Sequence, residues 1–352
     1  MSKKRVAMIG CGGIGGYHLS HLLQFGDIID LVGFCDLIPE RAQGFAMQAG
    51  CGETFTDFRK MYDAVHPDAV FICVPPTCHG EIEFETIERS IPFFVEKPLT
   101  LDLKLAQEIL RRIEEKKLIT AVGFQCRYDM LAKPLADFAQ ENRVVYINCT
   151  RFGGVPDAPW WKAKSLSGGQ LAEQTIHQLD YIRYTYGDPE TVFSMAARGF
   201  VQGIEGYDTD DLSATVVRFK NGALANIATG CYASAGTAYD SKLTYSAADK
   251  HADLYLLDKL CVYGENESGN AVGDLVIKGD GSLSKSSGEA VEFRQNGDCG
   301  IACDRTFLEA CISGDPSAIR SPYADAYKTL AFALACNESM ETGLPVQVEY
   351  VD

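Results

Sequence analysis

Two short segments of the chain hold titratable side chains at spacings that suit proton transfer. Lys97 follows an apolar run and precedes Pro98, which biases the lysine backbone toward an extended form. Glu173, His177 and Asp180 stand at positions i, i+4 and i+7, so a helix would present all three on one face. Histidine is the usual general base for a hydroxyl proton, and partial burial is expected to lower the pKa of Lys97 toward the working range. Lys97, His177 and Glu173 are the predicted catalytic residues.

Both segments also have an ordinary structural explanation. Most Lys-Pro dipeptides carry an exposed lysine, and here it would pair with the neighbouring Glu96. A helix face with one histidine among carboxylates is usually solvated, and the helix pattern taken alone favours that explanation. Two further groups of side chains are secondary candidates, since such residues line binding sites but also pack domain junctions. They are Gln125, Arg127 and Tyr128, and the loop Trp160-Trp161-Lys162.

A glycine-rich turn joins the first predicted strand to a helix. Residues 10–15 are Gly-Cys-Gly-Gly-Ile-Gly, which fits G-x-G-x-x-G. The glycines permit a tight turn and a close backbone approach, so the N-terminus of the helix can face a pyrophosphate. In isolation the pattern also fits a turn without a ligand, but the flanking strand and helix favour a dinucleotide site. The predicted contacts are Gly10, Gly12, Gly13, Ile14 and Gly15.

Asp36 ends the second predicted strand, 21 residues beyond Gly15 (36 minus 15). At about this spacing an acidic side chain accepts hydrogen bonds from the adenosine ribose. A carboxylate there disfavours a 2'-phosphate, so NAD is predicted rather than NADP. Two alternatives stay open: Asp36 caps the helix that starts near Pro39, or Arg41 accommodates a phosphate.

The elements that must position these residues follow from hydrophobic periodicity. Short β-rich runs alternate with amphipathic segments, which predicts a doubly wound Rossmann domain of the α/β class over residues 1–122. The predicted strands are 5–10, 31–35, 69–74, 93–96 and 119–122, and the predicted helices are 14–25, 39–49, 58–65, 79–89 and 101–117. Lys97 then lies just past the carboxyl end of a strand, at the edge where open α/β sheets bind ligands.

Residues 123–352 predict a C-terminal α+β domain built on a large, mostly antiparallel open sheet. The predicted strands include 144–151, 212–219 and 223–230, with Asn221-Gly222 as a hairpin turn. Helices are predicted at 130–140, 304–313 and 322–340, and a surface loop at 279–288. These helices are too few to cover both sheet faces, so a bare apolar face and a homodimer or homotetramer are expected. Val216 and Ile227 are apolar positions of that face, whereas Thr215 keeps a polar face possible.

Composition narrows the classes of partner and compartment. The 48 acidic and 32 basic residues give a formal charge of −16, which repels phosphate backbones, so nucleic acid is not an expected partner. No apolar run is long enough to span a bilayer and the first residues lack the pattern of a secretory signal, which predicts a cytoplasmic protein without a membrane partner. The 13 cysteines are scattered and odd in number and the six histidines are dispersed, so reduced thiols and no metal site are expected.

Five segments, in order along the chain, form one larger pattern. They are residues 10–15, Val74-Pro75-Pro76 with His79, Glu96-Lys97-Pro98, Gly123-Phe124-Gln125 with Arg127, and the glycine pair at 168–169 followed by Glu173, His177 and Asp180. Together they resemble the Gfo/Idh/MocA family, the glucose-fructose oxidoreductase and inositol dehydrogenase type of oxidoreductase. The resemblance implies NAD-dependent hydride transfer between nicotinamide and a secondary hydroxyl of a sugar, polyol or glycoside. It implies cofactor contacts from Val74, Pro75, His79, Glu96, Lys97 and Gln125, and substrate contacts from Lys97, Arg127, Tyr128, Trp161, Glu173, His177 and Asp180.

Glu173 departs from this family pattern, in which aspartate usually stands at that position, and its extra methylene shifts the carboxylate. Two alternatives to a dehydrogenase stay open. One is an NAD-dependent glycosidase that oxidises its sugar transiently, and the other is a non-catalytic NAD-binding regulator. The lack of an obvious basic cluster near the second-domain motif favours an uncharged substrate.

Overall fold

The computed structural model describes residues 3–233, 240–264, 276–277, 283–284 and 290–350. Most of the loop predicted at 279–288 lies outside these residues, and within it only 283–284 are described, as a two-residue strand. No helix in the described ranges is long and apolar enough to cross a membrane.

Residues 4–122 form a six-stranded sheet flanked by helices. The strands are β1 (Lys4–Ile9), β2 (Ile29–Cys35), β3 (Glu53–Phe55), β4 (Ala69–Ile72), β5 (Phe93–Val95) and β6 (Thr120–Val122), and the helices are α1 (Gly13–Leu22), α2 (Pro39–Ala49), α3 (Phe58–Val65), α4 (Glu81–Glu88) and α5 (Leu103–Lys116). The strand order is β3-β2-β1-β4-β5-β6 with every pairing parallel, which confirms the predicted doubly wound fold. β3 is absent from the prediction because it has three residues, two of them exposed, and so forms no apolar run.

Local sequence explains how the loop that carries Lys97 is held. β5 is a run of buried apolar residues, as expected of a parallel strand that is covered on both faces. Asp102 accepts hydrogen bonds from the amides of Lys104 and Leu105 and thereby caps α5. Lys97 therefore lies between the fixed end of a central strand and the capped start of a helix.

The second sheet has nine strands within the described residues. Its strands are β7 (Tyr146–Gly153), β8 (Pro189–Ala197), β9 (Leu212–Phe219), β10 (Leu224–Cys231), β11 (Asp240–Ser246), β12 (His251–Tyr255), β13 (Lys259–Tyr263), β16 (Val291–Arg294) and β17 (Val346–Gln347), while β14 (Val276–Ile277) and β15 (Leu283–Ser284) pair separately. The helices of this part are α6 (Ala132–Glu141), α7 (Lys164–Ser167), α8 (Ile176–Thr185), α9 (Cys299–Ser313) and α10 (Tyr323–Thr342). The order is β16-β13-β12-β11-β7-β10-β9-β8-β17, and among these described strands β7 and β10 make the one parallel pairing. The predicted, mostly antiparallel sheet is confirmed.

The hairpin between β9 and β10 also forms as predicted. Gly222 has a φ of +86°, and its amide donates to the carbonyl oxygen of Phe219 at 2.9 Å. This left-handed conformation is the one that Asn-Gly turns favour.

One face of the second sheet packs on helices and the other stays open. Val217 is buried on the helix side, and because side chains alternate along a strand, Val216 is exposed on the opposite side. The sequence analysis expects Ile227 on the bare apolar face and Thr215 on a polar outer face. Both expectations are wrong, because the two residues pair in register and are both buried on the helix side. We call the open side the outer face. Its exposed large apolar residues include Tyr146, Phe193, Met195, Val216 and Leu224.

The first sheet also receives a helix from much later in the chain. α9 packs against α1, and the ring of Phe307 lies 5.5 Å from that of Phe71 and 5.9 Å from that of Phe94, centroid to centroid. These rings belong to one buried apolar cluster with residues of β1 and α1. The predicted domain boundary between 122 and 123 stays a prediction, and the core of the first sheet includes a segment from beyond it.

Candidate active site

Three elements converge where β5 ends. Lys97 follows β5, Glu173 lies in a π-helical turn (Leu171–Thr175), and His177 is in the first turn of α8. Lys97 Nζ donates to Glu173 Oε1 at 2.7 Å and to the Glu173 carbonyl oxygen at 3.1 Å. The π turn is wider than the α-helical turn that the spacing predicts, since it closes i→i+5 hydrogen bonds. The structure thus brings together Lys97 and Glu173, two of the predicted catalytic residues.

Pairing with Glu173 sets the charge of Lys97. Burial lowers the pKa of Lys97, but the charges of Glu173 and then Glu96 outweigh burial, so the pKa is raised above its ordinary 10.5. The same pairing lowers the pKa of Glu173, although burial alone would raise it. The expectation of a lowered lysine pKa is therefore wrong, because it considered burial without this partner. Lys97 is an ammonium group at neutral pH.

Glu173 is fixed by a second contact. Its Oε2 accepts a hydrogen bond from Trp161 Nε1 at 2.6 Å and another from the Gln174 side-chain amide. Trp161 is fully buried, so its indole supports the carboxylate from within the fold. A direct substrate contact from Trp161 stays a prediction.

His177 is half-buried beside this pair. Its pKa is lowered to about 3, first by burial and then by the charge of Lys97. Its Nδ1 atom is buried and has no hydrogen-bond partner among the described residues. The imidazole is therefore neutral at physiological pH, with one ring nitrogen free to accept a proton or a hydrogen bond.

Arg127 and Asp180 bind each other. Arg127 Nε and Nη2 donate to the two carboxylate oxygens of Asp180 at 2.7 and 2.5 Å. Asp180 also accepts from Thr329 at 2.7 Å, and both members of the pair are buried. Tyr128 is buried next to them, and its hydroxyl accepts from the Arg320 amide at 2.8 Å. Substrate contacts from these three predicted residues stay a prediction, and we leave them out of the site proposed below.

Glu96 lies behind Lys97 in a buried polar cluster. Its Oε1 accepts from His18 Nε2 at 3.0 Å, and its Oε2 accepts from the Lys97 amide at 3.1 Å. His18 Nδ1 contacts both oxygens of Asp304 at 2.9 Å, and His21 Nδ1 contacts one of them at 2.8 Å. Burial lowers the pKa of His18, but Asp304 and then Glu96 raise it to about 10, so the ring is a cation. The cluster connects α1 and α9 to the residue before Lys97.

His18, His21 and Asp304 are also close enough together to be considered as metal ligands, since their ligand atoms lie within 4.8 Å of one another. A protonated imidazole has no lone pair for a metal, and both nitrogens of His18 are engaged by carboxylates. We interpret the group as an ion-pair cluster. Sequence spacing does not reveal it, because α1 and α9 lie far apart along the chain.

The remaining predicted cofactor residues differ in their access to the crevice. Val74 and Pro75 are half-buried after β4, with the Val74 side chain beside Gly10. Gln125 is half-buried at the start of a 3-10 turn (Gln125–Tyr128). The side chain of His79 is fully buried, and its Nδ1 contacts Glu83 Oε1 at 2.6 Å. Cofactor contact by His79 stays a prediction, and we leave it out of the proposed site.

The glycine-rich turn has the shape that a dinucleotide needs. A Cβ on Gly10, whose φ is +87°, would collide with the Cys73 carbonyl oxygen, and a Cβ on Gly15 would collide with that of Gly10. Gly12 and Gly13, by contrast, face open space at the start of α1. Gly10 and Gly15 therefore allow α1 to approach the preceding strand closely. Gly12 and Gly13 leave room for a pyrophosphate at the N-terminus of α1.

Asp36 is held at the rim of the same turn. Its Oδ2 accepts from the Cys11 amide at 2.8 Å and its Oδ1 accepts from the Ile38 amide at 2.8 Å. Each carboxylate oxygen keeps a further lone pair, so the side chain can still accept from a ribose hydroxyl. Arg41 is exposed nearby on α2. These residues fit the adenosine end of NAD.

Arg151 is a residue of this region that the sequence analysis missed. It lies on β7, and its Nη2 donates to Gln174 Oε1 at 2.7 Å, next to the Glu173 carboxylate. A signal for it exists in the sequence: Arg151 has the same strand parity as the buried Ile147 and Cys149. A cation at the inward positions of a predicted strand marks a candidate site.

Two family models match the chain. Residues 4–124 match the GFO/IDH/MocA model described as an oxidoreductase family with an NAD-binding Rossmann fold. Residues 142–266 match the GFO/IDH/MocA C-terminal domain.

Individual relatives agree with this assignment. The chain is 30% identical to scyllo-inositol 2-dehydrogenase (NAD(+)) of Bacillus subtilis (strain 168) over 230 residues, which cover 63% of this chain and 66% of that protein. It is 27% identical to myo-inositol 2-dehydrogenase of Thermotoga maritima over 225 residues, which cover 63% of this chain and 67% of that protein. The matches thus span about two thirds of these relatives. The fold is similar to that of levoglucosan dehydrogenase in complex with NADH and L-sorbose, with a TM-score of 0.83, 20% identity and all of both chains covered.

Proposed function

The chain belongs to the Gfo/Idh/MocA family of oxidoreductases, and from this premise we propose that it transfers a hydride between NAD and a secondary hydroxyl of a sugar, polyol or glycoside. The observation that carries the proposal is the Lys97–Glu173 ion pair beside a neutral His177 at the carboxyl edge of the first sheet. Ligands bind at this edge in open α/β sheets.

The glycine-rich turn and Asp36 are proposed to hold the cofactor. Gly12 and Gly13 leave the backbone open to the pyrophosphate, and Asp36 accepts from the ribose, which favours NAD over NADP. Val74, Pro75 and Gln125, which are half-buried, are proposed as further cofactor contacts. Bound NAD supplies the hydride acceptor for the oxidation.

His177 is proposed to accept the hydroxyl proton during hydride transfer and to release it to solvent, since its lowered pKa does not let it keep a proton at neutral pH. It is the neutral acceptor of the site, whereas Lys97 is already protonated and donates. The ammonium group of Lys97 would donate a hydrogen bond to the same substrate oxygen and stabilise the negative charge that develops there. Glu173 orients Lys97 and keeps it charged.

Lys97→Ala tests this assignment. Because proton-transfer groups and their positioned partners contribute about 100-fold or more, turnover of the best substrate is expected to fall about 100-fold. NAD binding should persist, because the glycine-rich turn and Asp36 are separate from Lys97. Lys133→Ala is the matched control, since Lys133 is an exposed lysine paired with Asp137. Near-normal turnover of the Lys97 variant would contradict the assignment.

NADH absorbance over a panel of inositols, sugars and glycosides separates the open alternatives. A dehydrogenase accumulates NADH, whereas a glycosidase that works by transient oxidation releases product without net NADH. A regulator would bind NAD and turn over nothing in the panel.

We further propose that the protein forms a homo-oligomer through its outer face and works in the cytoplasm. The exposed apolar side chains of β7, β8, β9 and β10 support the first point. The second is supported by the cysteines, all thirteen of which lie in described residues and are unpaired, as suits a reducing compartment.

A further inference from the structure

Arg151 brings a second positive charge to the candidate active site. It lies on β7 with the same strand parity as the buried Cys149, so its side chain is on the helix-facing side of the sheet. Its Nη2 donates to Gln174 Oε1 at 2.7 Å, and the Gln174 side-chain amide donates to Glu173. Arg151 is therefore one side chain away from the carboxylate that holds the catalytic lysine.

The charge of Arg151 acts on both proton-handling groups. Burial and then Lys97 lower the pKa of His177, and Arg151 adds to this lowering. Burial is also the largest influence on the pKa of Lys97, and Arg151 acts in the same downward direction. The guanidinium group thus shares the electrostatic environment of the reacting atoms.

Arg151 lacks the carboxylate partner that other enclosed arginines have. Arg127, for example, pairs with Asp180. Among the described residues, no carboxylate oxygen pairs with Arg151 within 4.0 Å. Its bonds go to neutral groups: Gln174 Oε1, Cys231 Sγ at 2.9 Å and the Gly230 carbonyl oxygen at 3.5 Å. A guanidinium has five N–H donors, so these three bonds leave two for a ligand.

Within the described part of the site, the Arg151 guanidinium has no carboxylate of its own. The neighbouring carboxylates bind other cations: Glu173 binds Lys97 at 2.7 Å, and Glu96 binds His18 at 3.0 Å. A half-buried cation without a counter-ion is unfavourable, and an anion stabilises it. A carboxylate supplies one negative charge and two oxygens in the geometry that a guanidinium binds.

We propose that Arg151 binds a carboxylate of the substrate, and that the chain acts on a sugar or polyol carrying such a group, as uronates and aldonates do. This inference rests on the proposed function, because it names the substrate class of the same site. It replaces the expectation of an uncharged substrate. That expectation depended on the lack of a basic cluster in the sequence, whereas folding places Arg151 against Gln174, next to the Glu173 that binds Lys97.

The test compares sugars in matched pairs that differ by the carboxylate: D-glucose with D-glucuronate, D-galactose with D-galacturonate, and D-mannose with D-mannuronate. Binding to the NAD-loaded protein is measured by titration calorimetry, and turnover is followed by NADH absorbance. In the wild-type protein, the best acid is expected to bind at least about tenfold more tightly than its neutral partner. In Arg151→Gln this preference is expected to fall at least about tenfold, since the charge-assisted hydrogen bonds are lost.

Arg143→Gln is the matched control, because Arg143 is exposed just before β7, and it should keep the wild-type preference. Equal binding of acids and neutral sugars by the wild-type protein would overturn the inference. A preference that survives in Arg151→Gln, or no binding of any acid at millimolar concentration, would overturn it as well. Arg151-dependent binding of an acid without NADH formation would support the inference and count against the proposed dehydrogenase activity.

Discussion

Glu173 is long enough to hold two groups at once. Its Oε1 binds the ammonium group of Lys97 while its Oε2 binds the indole of Trp161. The departure from the aspartate of the family pattern therefore keeps the contact with Lys97. The extra methylene is accommodated because a buried tryptophan anchors the second oxygen from the other side.

Removal of the Asp36 carboxylate is predicted to weaken NAD binding and to reduce the preference for NAD over NADP. Asp36→Ala loses the acceptor for the ribose and the negative charge that repels a 2'-phosphate. A hydrogen bond to a charged group corresponds to about tenfold in affinity or more, so the Kd for NAD should rise by about that factor. Fluorescence titration with both nucleotides measures the change.

Asp30→Ala is the control for this experiment, since Asp30 is an exposed carboxylate on the same strand, β2. It should leave both dissociation constants at wild-type values. Unchanged affinities in Asp36→Ala would place the ribose contact on another residue.

Residue types and spacing could predict Lys97, Glu173 and His177, because a strand end and a helix turn bring these positions to one edge of the sheet. Their charge states could not be predicted in this way. The pKa of Lys97 is raised mainly by its contact with Glu173, and the local sequence around Lys97 does not indicate that contact. The strand parity of Arg151 indicates an inward side chain, but its contact with the site could not be predicted, because its partner Gln174 lies on a different element.

The polar cluster of His18, Asp304 and Glu96 connects three elements, α1, α9 and the end of β5. Because His18 is a cation in this cluster, the free energy of unfolding depends on pH in the alkaline range. The folded-state pKa of His18, about 10, lies above its ordinary value of 6.5, so its stabilising contribution is complete below about pH 6.5 and is lost as pH rises through 10. The melting temperature of the wild-type protein is predicted to fall over this interval.

His18→Asn is predicted to flatten that alkaline dependence and to lower the unfolding free energy at pH 7 by about 3–5 kcal/mol, because it leaves two buried carboxylates without their cation. Differential scanning calorimetry at several pH values measures both effects. His66→Asn is the control, since His66 is exposed and its left-handed backbone also suits asparagine. Parallel pH profiles for wild type and His18→Asn would show that His18 is not the charged group.

The periodicity of apolar residues predicts the long helices and strands well and the short ones poorly. The parallel strands are buried apolar runs, and α5 has a clear apolar stripe, so both follow from the sequence. β3 and the π turn at Glu173 do not, because pairing with β2 and packing around Trp161 fix them rather than local preference.

The outer face exposes large apolar side chains on four neighbouring strands of the second sheet. We predict that light scattering at micromolar concentration gives a dimer or a tetramer of the 38.5 kDa chain. Met195→Glu places a charge among the apolar residues of this face and should shift the mass toward the monomer. Met47→Glu is the matched control, because Met47 is also largely exposed but lies on α2. A monomeric mass for the wild-type protein across dilution would contradict the prediction.

The position of α9 has a consequence for how the protein is made. During synthesis, all strands of the first sheet leave the ribosome before Phe307 is made. Phe71, Phe94 and His18 therefore lack their contacts with α9 until late in translation. Domains generally fold as units from the N-terminus during synthesis, but here the nucleotide-binding unit can finish only after nearly all of the chain has emerged. The nascent protein therefore carries an uncovered apolar surface for most of translation.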